Sequence, residues 1–294
     1  MRVEVLEPHG FCSGVKAAID KACHALSFGG RVWCLHEIVH NAMVVEGLRA
    51  KGMRFVESLD EVPAGGTILF SAHGVPPCTR AKADARGLTV IDTTCPFVVR
   101  AHRQVRTYAE QGTPVGVVGH AEHAEVAGLV GEYLEFGPAD GIKVVDSVAD
   151  VPALPFPDCE RIGVVCQTTL AADTLGGILS ALRSRYPRLV ETAASETCTA
   201  TRDRQRAVRS FVRAHAQRGK VGVIAVGGAH SSNTARLAET AESDGARAWR
   251  ISGPDDLASC DFSGIDSMGI TSGASTPESV LAAVCGRLRA ISVA

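Results

Sequence analysis

The chain has 294 residues, of which 46% are apolar and 21% charged, and its formal net charge is −2. This composition is typical of a globular protein and excludes a largely disordered chain. The balanced charge provides no basic field for nucleic acid, and no apolar run approaches the ~20 residues of a membrane span. Because the first residues also lack the long apolar core of a signal peptide, we expect a cytoplasmic protein.

Short runs rich in Val and Ile alternate with amphipathic stretches along the whole chain. The runs predict strands, and the stretches predict helices over 17–26, 98–111, 174–186 and 202–217. Strands that alternate with helices form βα units, which build mostly parallel sheets. The predicted fold class is therefore α/β.

The chain carries a threefold internal repeat, and a cysteine opens each copy. An apolar run precedes each of these cysteines, and a helical stretch follows it. The three cysteines are Cys12, Cys95 and Cys198.

The later parts of each copy also match. His40 comes 28 positions after Cys12, and His123 likewise comes 28 positions after Cys95. The third copy carries five extra residues near 214–220. Each copy continues through a connector of one style, and these connectors span 54–63, 143–152 and 248–257. Each copy ends in one more apolar run with a small polar tip, at His73, Thr168 and Ser275.

The repeat predicts three α/β domains of ordinary size. Their limits are 1–95, with the N-terminal strand and Cys12, then 96–195 and 196–294. Ligands of open parallel sheets gather beyond the carboxyl ends of the strands. Three such sheets around a pseudo-threefold axis would direct all of these loops into one central cavity.

Three thiolates at one centre are soft ligands. They fit one Zn²⁺ with a fourth ligand, or three corners of an iron–sulfur cubane whose fourth iron stays open. The alternative is three buried core cysteines, which the repeat makes less favoured because it places the thiols at equivalent strand ends. We expect the remaining seven cysteines to be small buried hydrophobes or incidental thiols; these are Cys23, Cys34, Cys78, Cys159, Cys166, Cys260 and Cys285.

The loops around the cysteines offer imidazoles, hydroxyls and an amide beside small residues. Such donors at helix starts suit a phosphate or a diphosphate, although each alone is more often an ordinary loop residue or a helix cap. The residues are His40, His73, His123, Thr168, Ser231, Ser232, Asn233 and Ser275.

Glu125 differs from these residues because a carboxyl group gives and takes a proton. Its apolar flanks predict partial burial, which raises the pKa of a carboxyl and favours a role as proton donor. The alternative is a solvated carboxylate at a helix start.

Nine motifs together closely resemble one known family, that of the 4-hydroxy-3-methylbut-2-enyl diphosphate reductases (the LytB/IspH family), in order and over essentially the whole chain. They are Gly-Phe-Cys12-Ser-Gly-Val, His-Glu-Ile-Val-His40-Asn, Phe-Ser-Ala-His73-Gly-Val, Asp-Thr-Thr-Cys95-Pro, His123-Ala-Glu125-Val, Gln-Thr168-Thr-Leu, Cys198-Thr-Ala-Thr-Arg-Asp-Arg-Gln, Ser231-Ser-Asn-Thr-Ala-Arg-Leu and Thr-Ser-Gly-Ala-Ser275.

The resemblance implies a trefoil of three α/β domains around a [4Fe–4S] cluster and the last step of the non-mevalonate (MEP) isoprenoid pathway. In that step (E)-4-hydroxy-3-methylbut-2-enyl diphosphate loses its allylic hydroxyl, which gives isopentenyl diphosphate, dimethylallyl diphosphate and water. It also implies that Cys12, Cys95 and Cys198 hold three irons, that the open iron binds the substrate hydroxyl and that Glu125 donates the proton.

By the same resemblance, Thr168 orients the hydroxyl and a proton path, and an electron-donor protein of the ferredoxin or flavodoxin type is the partner. The resemblance also implies that Thr168 binds the substrate and that seven residues bind its diphosphate: His40, His73, His123, Ser231, Ser232, Asn233 and Ser275.

The chain departs from the usual pattern of the family beside these motifs, at Ala42, Met43, Ala124, Ala127 and Leu129. None of these departures removes a ligand or the proton donor. Two other classes stay open: a hydratase or hydrolase that uses a metal bound by the three cysteines, and a non-catalytic paralogue that binds a diphosphate or senses redox state.

Overall fold

A computed structural model describes residues 1–157 and 161–293. In these ranges the strands form three sheets of four strands, and every pairing between neighbouring strands is parallel. The predicted α/β class with parallel sheets is thus confirmed. The strands are β1 (Arg2–Val5), β2 (Val32–Leu35), β3 (Arg54–Val56), β4 (Thr67–Phe70), β5 (Thr89–Asp92), β6 (Val115–Val118), β7 (Ile142–Val145), β8 (Ile162–Cys166), β9 (Leu189–Val190), β10 (Val221–Val226), β11 (Arg247–Ile251) and β12 (Ser267–Ser272).

The sheets share one strand order. Two of them run β3-β2-β4-β5 and β7-β6-β8-β9, and the third runs β11-β10-β12-β1. The strand that precedes each repeated cysteine is therefore an edge strand in every case. The predicted repeat thus corresponds to one topology used three times within the described residues.

The N-terminal strand lies in a different sheet from the one that the predicted first domain gives it. Strand β1 pairs with β12, in register from Arg2 opposite Ser267 to Val5 opposite Ile270. It therefore completes the sheet of the third repeat. The limits 1–95, 96–195 and 196–294 themselves stay a prediction.

Residue contacts divide the chain into two compact units rather than three. Unit 1 consists of Met1–Lys16, Val39–Glu46 and Cys198–Ala294, and it holds the sheet with β1. Unit 2 consists of Ala17–Ile38 and Gly47–Thr197, and it holds the other two sheets.

Every α-helix of the described residues begins within four residues after a predicted site residue. These site residues are, in chain order, Cys12, His40, His73, Cys95, His123, Thr168, Cys198, Ser231 and Ser275. The helices are α1 (Ser13–Ser27), α2 (Ala42–Ala50), α3 (Pro77–Ala85), α4 (Pro96–Glu110), α5 (Ala124–Phe136), α6 (Ala172–Arg185), α7 (Thr199–His215), α8 (Ser232–Ser243) and α9 (Glu278–Val293). The four helices predicted from periodicity are present and start two to four residues earlier than predicted.

The repeated connectors are more ordered than their sequence suggests. Each contains an edge strand, β3, β7 or β11, followed by a short 3-10 helix. In each copy one carboxylate accepts two backbone N–H groups just before that helix, and the three carboxylates belong to Glu61, Asp150 and Asp256. The carboxylates satisfy donors that the turn would otherwise leave unpaired.

The central strands are buried on both faces, which explains their unbroken apolar runs. Along β8, Val164 and Cys166 belong to one core cluster and Val165 to another. Successive side chains of a strand point to opposite faces, so each face of this sheet packs its own helices. Because both faces of these strands are buried, their side chains are mostly apolar, and the polar residues lie in the loops at the strand ends.

Two glycines on the central strands of one sheet give a matched test of this packing. A Cβ added at Gly163 would lie 2.6 Å from Cε2 of the buried Tyr108, whereas one added at Gly116 meets nothing closer than Cγ2 of Val145 at 3.7 Å. We predict that Gly163→Ala lowers the free energy of unfolding by about 1–3 kcal/mol, because overpacking displaces the ring. Gly116→Ala should change it little. Urea unfolding of both variants measures the difference, and equal losses would contradict this account of the packing.

Candidate active site

Unit 2 contains a buried carboxyl group in the first turn of α5. Glu125 is 1% exposed. The backbone N–H of Thr168 donates to Glu125 Oε1 at 2.8 Å, and the Thr168 hydroxyl donates to Oε2 at 3.0 Å. Thr168 comes two residues after β8, and Glu125 is the second residue of α5. The end of a strand and the start of a helix therefore position the two side chains. The sequence prediction that Glu125 is desolvated is confirmed by its burial.

Burial raises the pKa of Glu125 to about 7, and the two hydrogen bonds from Thr168 oppose that rise. The cause is the cost of placing a negative charge away from water. A carboxyl group with this pKa exchanges its proton near neutral pH, which is the property that a general acid needs.

Two predicted imidazoles lie together in the same unit. The rings of His73 and His123 meet edge to face, with centroids 5.6 Å apart. His123 Nδ1 also accepts the backbone N–H of Glu125 at 3.2 Å, which makes this histidine the N-cap of α5. The imidazole pair is thus joined to the backbone of Glu125, the residue that carries the buried carboxyl.

Cys95 belongs to this neighbourhood because its backbone N–H donates to the carbonyl of Ala72, one residue before His73, at 3.0 Å. The chain turns at Gly74, whose φ of +77° is in the left-handed region. A Cβ there would lie 3.1 Å from the ring of His102, so the turn requires glycine. Unit 2 therefore groups Cys95, His73, His123, Glu125 and Thr168.

Unit 1 contains the other two repeated thiols, each at the start of a helix. The N–H of Val15 points to Cys12 Sγ, and the N–H of Thr201 points to Cys198 Sγ, both at 3.4 Å. Helix N-termini carry a partial positive charge and unpaired N–H groups, which favour a thiolate over a thiol. Both sulfurs are therefore suited to bind a soft metal.

A chain of hydrogen bonds links Cys198 to the Cys12 loop. Sγ of Cys198 lies 3.2 Å from the hydroxyl of Thr201, which also accepts from Asn233 Nδ2 at 3.0 Å. Asn233 Oδ1 accepts the N–H of Ala274 at 3.1 Å, and the Ala274 carbonyl accepts the N–H of Cys12 at 3.0 Å. The predicted amide ligand thus spans the two thiol segments.

The remaining predicted residues of unit 1 lie at the same strand ends. Ser231 caps α8 by accepting the N–H of Thr234, and Ser232 is the first residue of that helix. Ser275 follows Ala274 directly and is buried. His40 precedes α2, and its carbonyl lies so close to Gly228 that no side chain fits there. Unit 1 therefore groups Cys12, Cys198, His40, Ser231, Ser232, Asn233 and Ser275.

Thr201 and Arg204 are not among the residues predicted from the sequence, although both are buried beside the thiols of unit 1. Their positions after Cys198, at intervals of three residues, place them along one face of α7 and are the signal that could have found them. Sequence analysis also missed His102, whose Nδ1 lies 3.0 Å from the carboxylate of Glu132 on the neighbouring helix α5.

The departures from the family pattern lie on different kinds of surface. Leu129 is fully buried in the core beneath α5, whereas Met43 is 57% exposed. Ala42, Ala124 and Ala127 are exposed on the first turns of their helices. The buried departure is apolar and therefore packs as part of the core.

Of the other cysteines, Cys23 and Cys260 are partly buried. Cys34, Cys166 and Cys285 are buried, as expected for small hydrophobes, and Cys78 is exposed. Cys159 lies outside the described residues.

Within 1–157 and 161–293, no set of three His, Cys, Asp or Glu side chains is placed to hold a single metal ion. Every helix in the same ranges is too short or too polar to span a bilayer.

The fold defines an α/β protein whose candidate site residues, which include thiols, imidazoles and a buried carboxyl, lie at strand ends in both units. A family model described as LytB protein matches residues 3–289. The chain is 43% identical over 286 residues to a 4-hydroxy-3-methylbut-2-enyl diphosphate reductase of Azoarcus sp. (strain BH72). The aligned part covers 97% of this chain and 88% of the relative. A protein of the same name from Actinobacillus pleuropneumoniae serotype 5b (strain L20) is 40% identical over 294 residues, covering 100% of this chain and 91% of the relative.

A solved structure agrees with these relatives. The E-1-hydroxy-2-methyl-but-2-enyl-4-diphosphate reductase from Plasmodium falciparum superimposes with a TM-score of 0.90 at 30% identity, over 97% of this chain and 87% of that one. The chain belongs to the LytB protein family. The resemblance drawn from the nine motifs is therefore confirmed.

The pKa of Glu125 leads to a prediction about stability. In the unfolded chain this carboxyl ionises near 4.5, but in the folded chain it ionises at about 7. As pH rises from 4.5 to 7 the unfolded state loses its proton first, so the free energy of unfolding falls by about 3 kcal/mol from this group alone.

Glu125→Gln should remove that fall. The free energy of unfolding of the variant, relative to that of the unmodified chain, should therefore be higher at pH 8 than at pH 5. Urea unfolding of identically prepared samples at both pH values measures this difference. Glu122→Gln, at an exposed position three residues earlier, is the control and should show no such change. A pH-independent difference between Glu125→Gln and the unmodified chain would contradict the raised pKa.

Proposed function

We propose that the chain catalyses the reductive removal of the allylic hydroxyl from (E)-4-hydroxy-3-methylbut-2-enyl diphosphate. The C–O bond breaks, two electrons and two protons are consumed, and the products are water with isopentenyl or dimethylallyl diphosphate. Membership of the LytB family and the names of relatives at about 40% identity support this reaction. It is the last step of the non-mevalonate isoprenoid pathway.

The observation that carries the proposal is the buried pair of Glu125 and Thr168. A hydroxide is a poor leaving group, so the departing oxygen needs a proton at the moment the bond breaks. Glu125 holds that proton near neutral pH because its pKa is raised to about 7. The Thr168 hydroxyl donates to the same carboxyl. We propose that it also orients the substrate hydroxyl toward Glu125. Burial also keeps bulk water from competing as the proton source.

We propose that Cys12, Cys95 and Cys198 hold a [4Fe–4S] cluster with one open iron. The residues present fit such a group, since all three thiols directly precede helices and backbone N–H groups point to Cys12 and Cys198. Thiolates are the ligands of these clusters. The cluster would supply electrons and a Lewis-acid position for the substrate oxygen.

The diphosphate needs donors that neutralise its charge. We propose that His73 and His123 from unit 2 bind it together with groups from unit 1, namely His40, Ser231, Ser232, Asn233 and Ser275. These side chains precede or begin helices, whose N–H groups and dipoles favour an anion. Thr168 would contact the substrate at the end opposite the diphosphate.

The electrons must come from a reduced partner, because the reaction consumes two of them and the chain's own residues supply none. We propose an electron-donor protein of the ferredoxin or flavodoxin type, and we place the reaction in the cytoplasm. Turnover with such a donor, compared with turnover with a chemical reductant, separates a failure of the partner from a failure of the chemistry.

Glu125→Gln tests the proton donor. The amide cannot donate the proton, so we predict a fall in kcat of about 10²–10⁴-fold with unchanged iron and sulfide content. In the unmodified enzyme kcat/KM should be level below pH 6 and fall as pH rises through about 7, where Glu125 ionises.

Reduced methyl viologen as electron donor at every pH keeps the reductant constant in this experiment. Glu122→Gln serves as the control. If Glu125→Gln turns over at the unmodified rate, Glu125 is not the donor.

Cys95→Ser tests the cluster. A serine hydroxyl is a hard donor that stays protonated near neutral pH and so replaces a thiolate poorly. We therefore predict the loss of bound iron and sulfide and of all turnover after anaerobic reconstitution. Cys78→Ser, an exposed cysteine on α3, should keep both. Stoichiometric zinc without sulfide in the unmodified protein would instead favour a metal-dependent hydratase or hydrolase. A loaded cluster without product from the allylic diphosphate would favour a non-catalytic sensor.

A further inference from the structure

Arg204 is a buried cation beside two of the thiols, and the roles assigned above do not include it. Its side chain lies on α7 and is 2% exposed. Nη2 donates to the carbonyl of Gly10 at 2.8 Å, and Nη1 donates to the carbonyl of Ala200 at 3.0 Å. Gly10 is two residues before Cys12, and Ala200 is two residues after Cys198. The planar guanidinium therefore ties together the two segments that carry these cysteines.

Within the part of the chain that the structure describes, no buried carboxylate is paired with the charge of Arg204. Burial lowers the pKa of the guanidinium, and the largest opposing influences are Cys12 and Cys198, ahead of Asp203 and Glu7. The side chains of Glu7 and Asp203 are 76% and 47% exposed, so water screens their charge. Nε of Arg204 is also buried without a hydrogen-bond partner among the described residues.

A buried cation is costly unless an anion compensates it. Two hydrogen bonds to neutral carbonyls do not supply a negative charge. The groups in its surroundings that gain one are the sulfurs of Cys12 and Cys198, once they are thiolates bound to metal. The arrangement is therefore complete only when a negatively charged group occupies the thiol site.

We propose that Arg204 is a positioning residue of the cluster site: it fixes the Cys12 segment against the Cys198 segment and holds a permanent positive charge beside these two ligands. The inference rests on the proposed function, because it assumes that the thiols bind a cluster.

The charge has a consequence that a purely structural role lacks. A thiolate-bound [4Fe–4S] cluster is negative and becomes more negative when it is reduced, so a fixed cation stabilises the reduced state more than the oxidised state. Net charge, hydrogen bonds to sulfur and solvent exposure set the reduction potential of such clusters. Arg204 should therefore raise the potential and make the site easier to reduce.

The test is a redox titration of the reconstituted full chain, followed by electron paramagnetic resonance, with iron and sulfide content measured on the same samples. Arg204→Gln removes the charge, and Arg204→Lys keeps the charge but loses the planar fork. Arg206→Gln is the matched control, because it removes the same charge from the same helix at a side chain that is 71% exposed.

At a given ambient potential, we expect the ratio of reduced to oxidised cluster in Arg204→Gln to be roughly tenfold lower than in the unmodified chain. This corresponds to a midpoint potential lower by about 59 mV for a one-electron couple. Arg204→Lys should stay closer to the unmodified chain, and Arg206→Gln should match it. A folded Arg204→Gln variant that loses the cluster, while Arg206→Gln keeps it, supports the same role.

An unchanged potential at full cluster content in Arg204→Gln overturns the inference, and so does a shift in Arg204→Lys as large as the shift in Arg204→Gln. Circular dichroism confirms folding first, and Arg204→Met replaces the Gln variant if that one does not fold. If the unmodified chain and Arg206→Gln take up no iron or sulfide, the proposed function fails independently of Arg204.

Discussion

Parallel strand pairing is the constraint on which the site depends. Parallel strands need a crossover after each strand, so a helix must start near the end where the strand stops. The first N–H groups of that helix need acceptors, and several predicted site residues supply them: Cys198, His123 and Ser231 each accept an N–H from the first turn of their own helix. These residues are therefore helix caps as well as proposed ligands, and replacing one should alter the helix as well as the site.

The pairing of β1 with β12 decides which ligands share a unit. Because the first strand completes the last sheet, Cys12 lies in unit 1 with Cys198, Asn233 and Ser275, although more than half of the chain separates it from each of them. The hydrogen bond from the Cys12 N–H to Ala274 and the fork of Arg204 on Gly10 both follow from this pairing. The first joins the Cys12 loop to the loop after β12, and the second joins it to helix α7.

The sequence alone predicted the α/β class, the repeat and four of the helices, because these depend on local periodicity and on comparison of the chain with itself. It treated β3, β7 and β11 as connectors, since short edge strands that are partly exposed lack a continuous apolar run. It placed β1 in the first domain because the partner of an edge strand is set by tertiary packing. The predicted site residues do collect within each unit, whereas Arg204 was missed because an arginine on a helix is usually solvated, and only the packing shows that this one is buried.

Glu125 and Arg204 show how the site combines stability and function. Each is a charged residue type at a buried position, and in both cases burial shifts the pKa toward the neutral form. Glu125 responds by keeping its proton near neutral pH, and the proposed reaction needs this protonated form. An arginine does not lose its proton in proteins, so Arg204 keeps its charge, and the proposed cluster site would supply negative charge beside it. The same cost of burial therefore favours a protonated carboxyl in one unit and, in the other, an anionic group next to the cation.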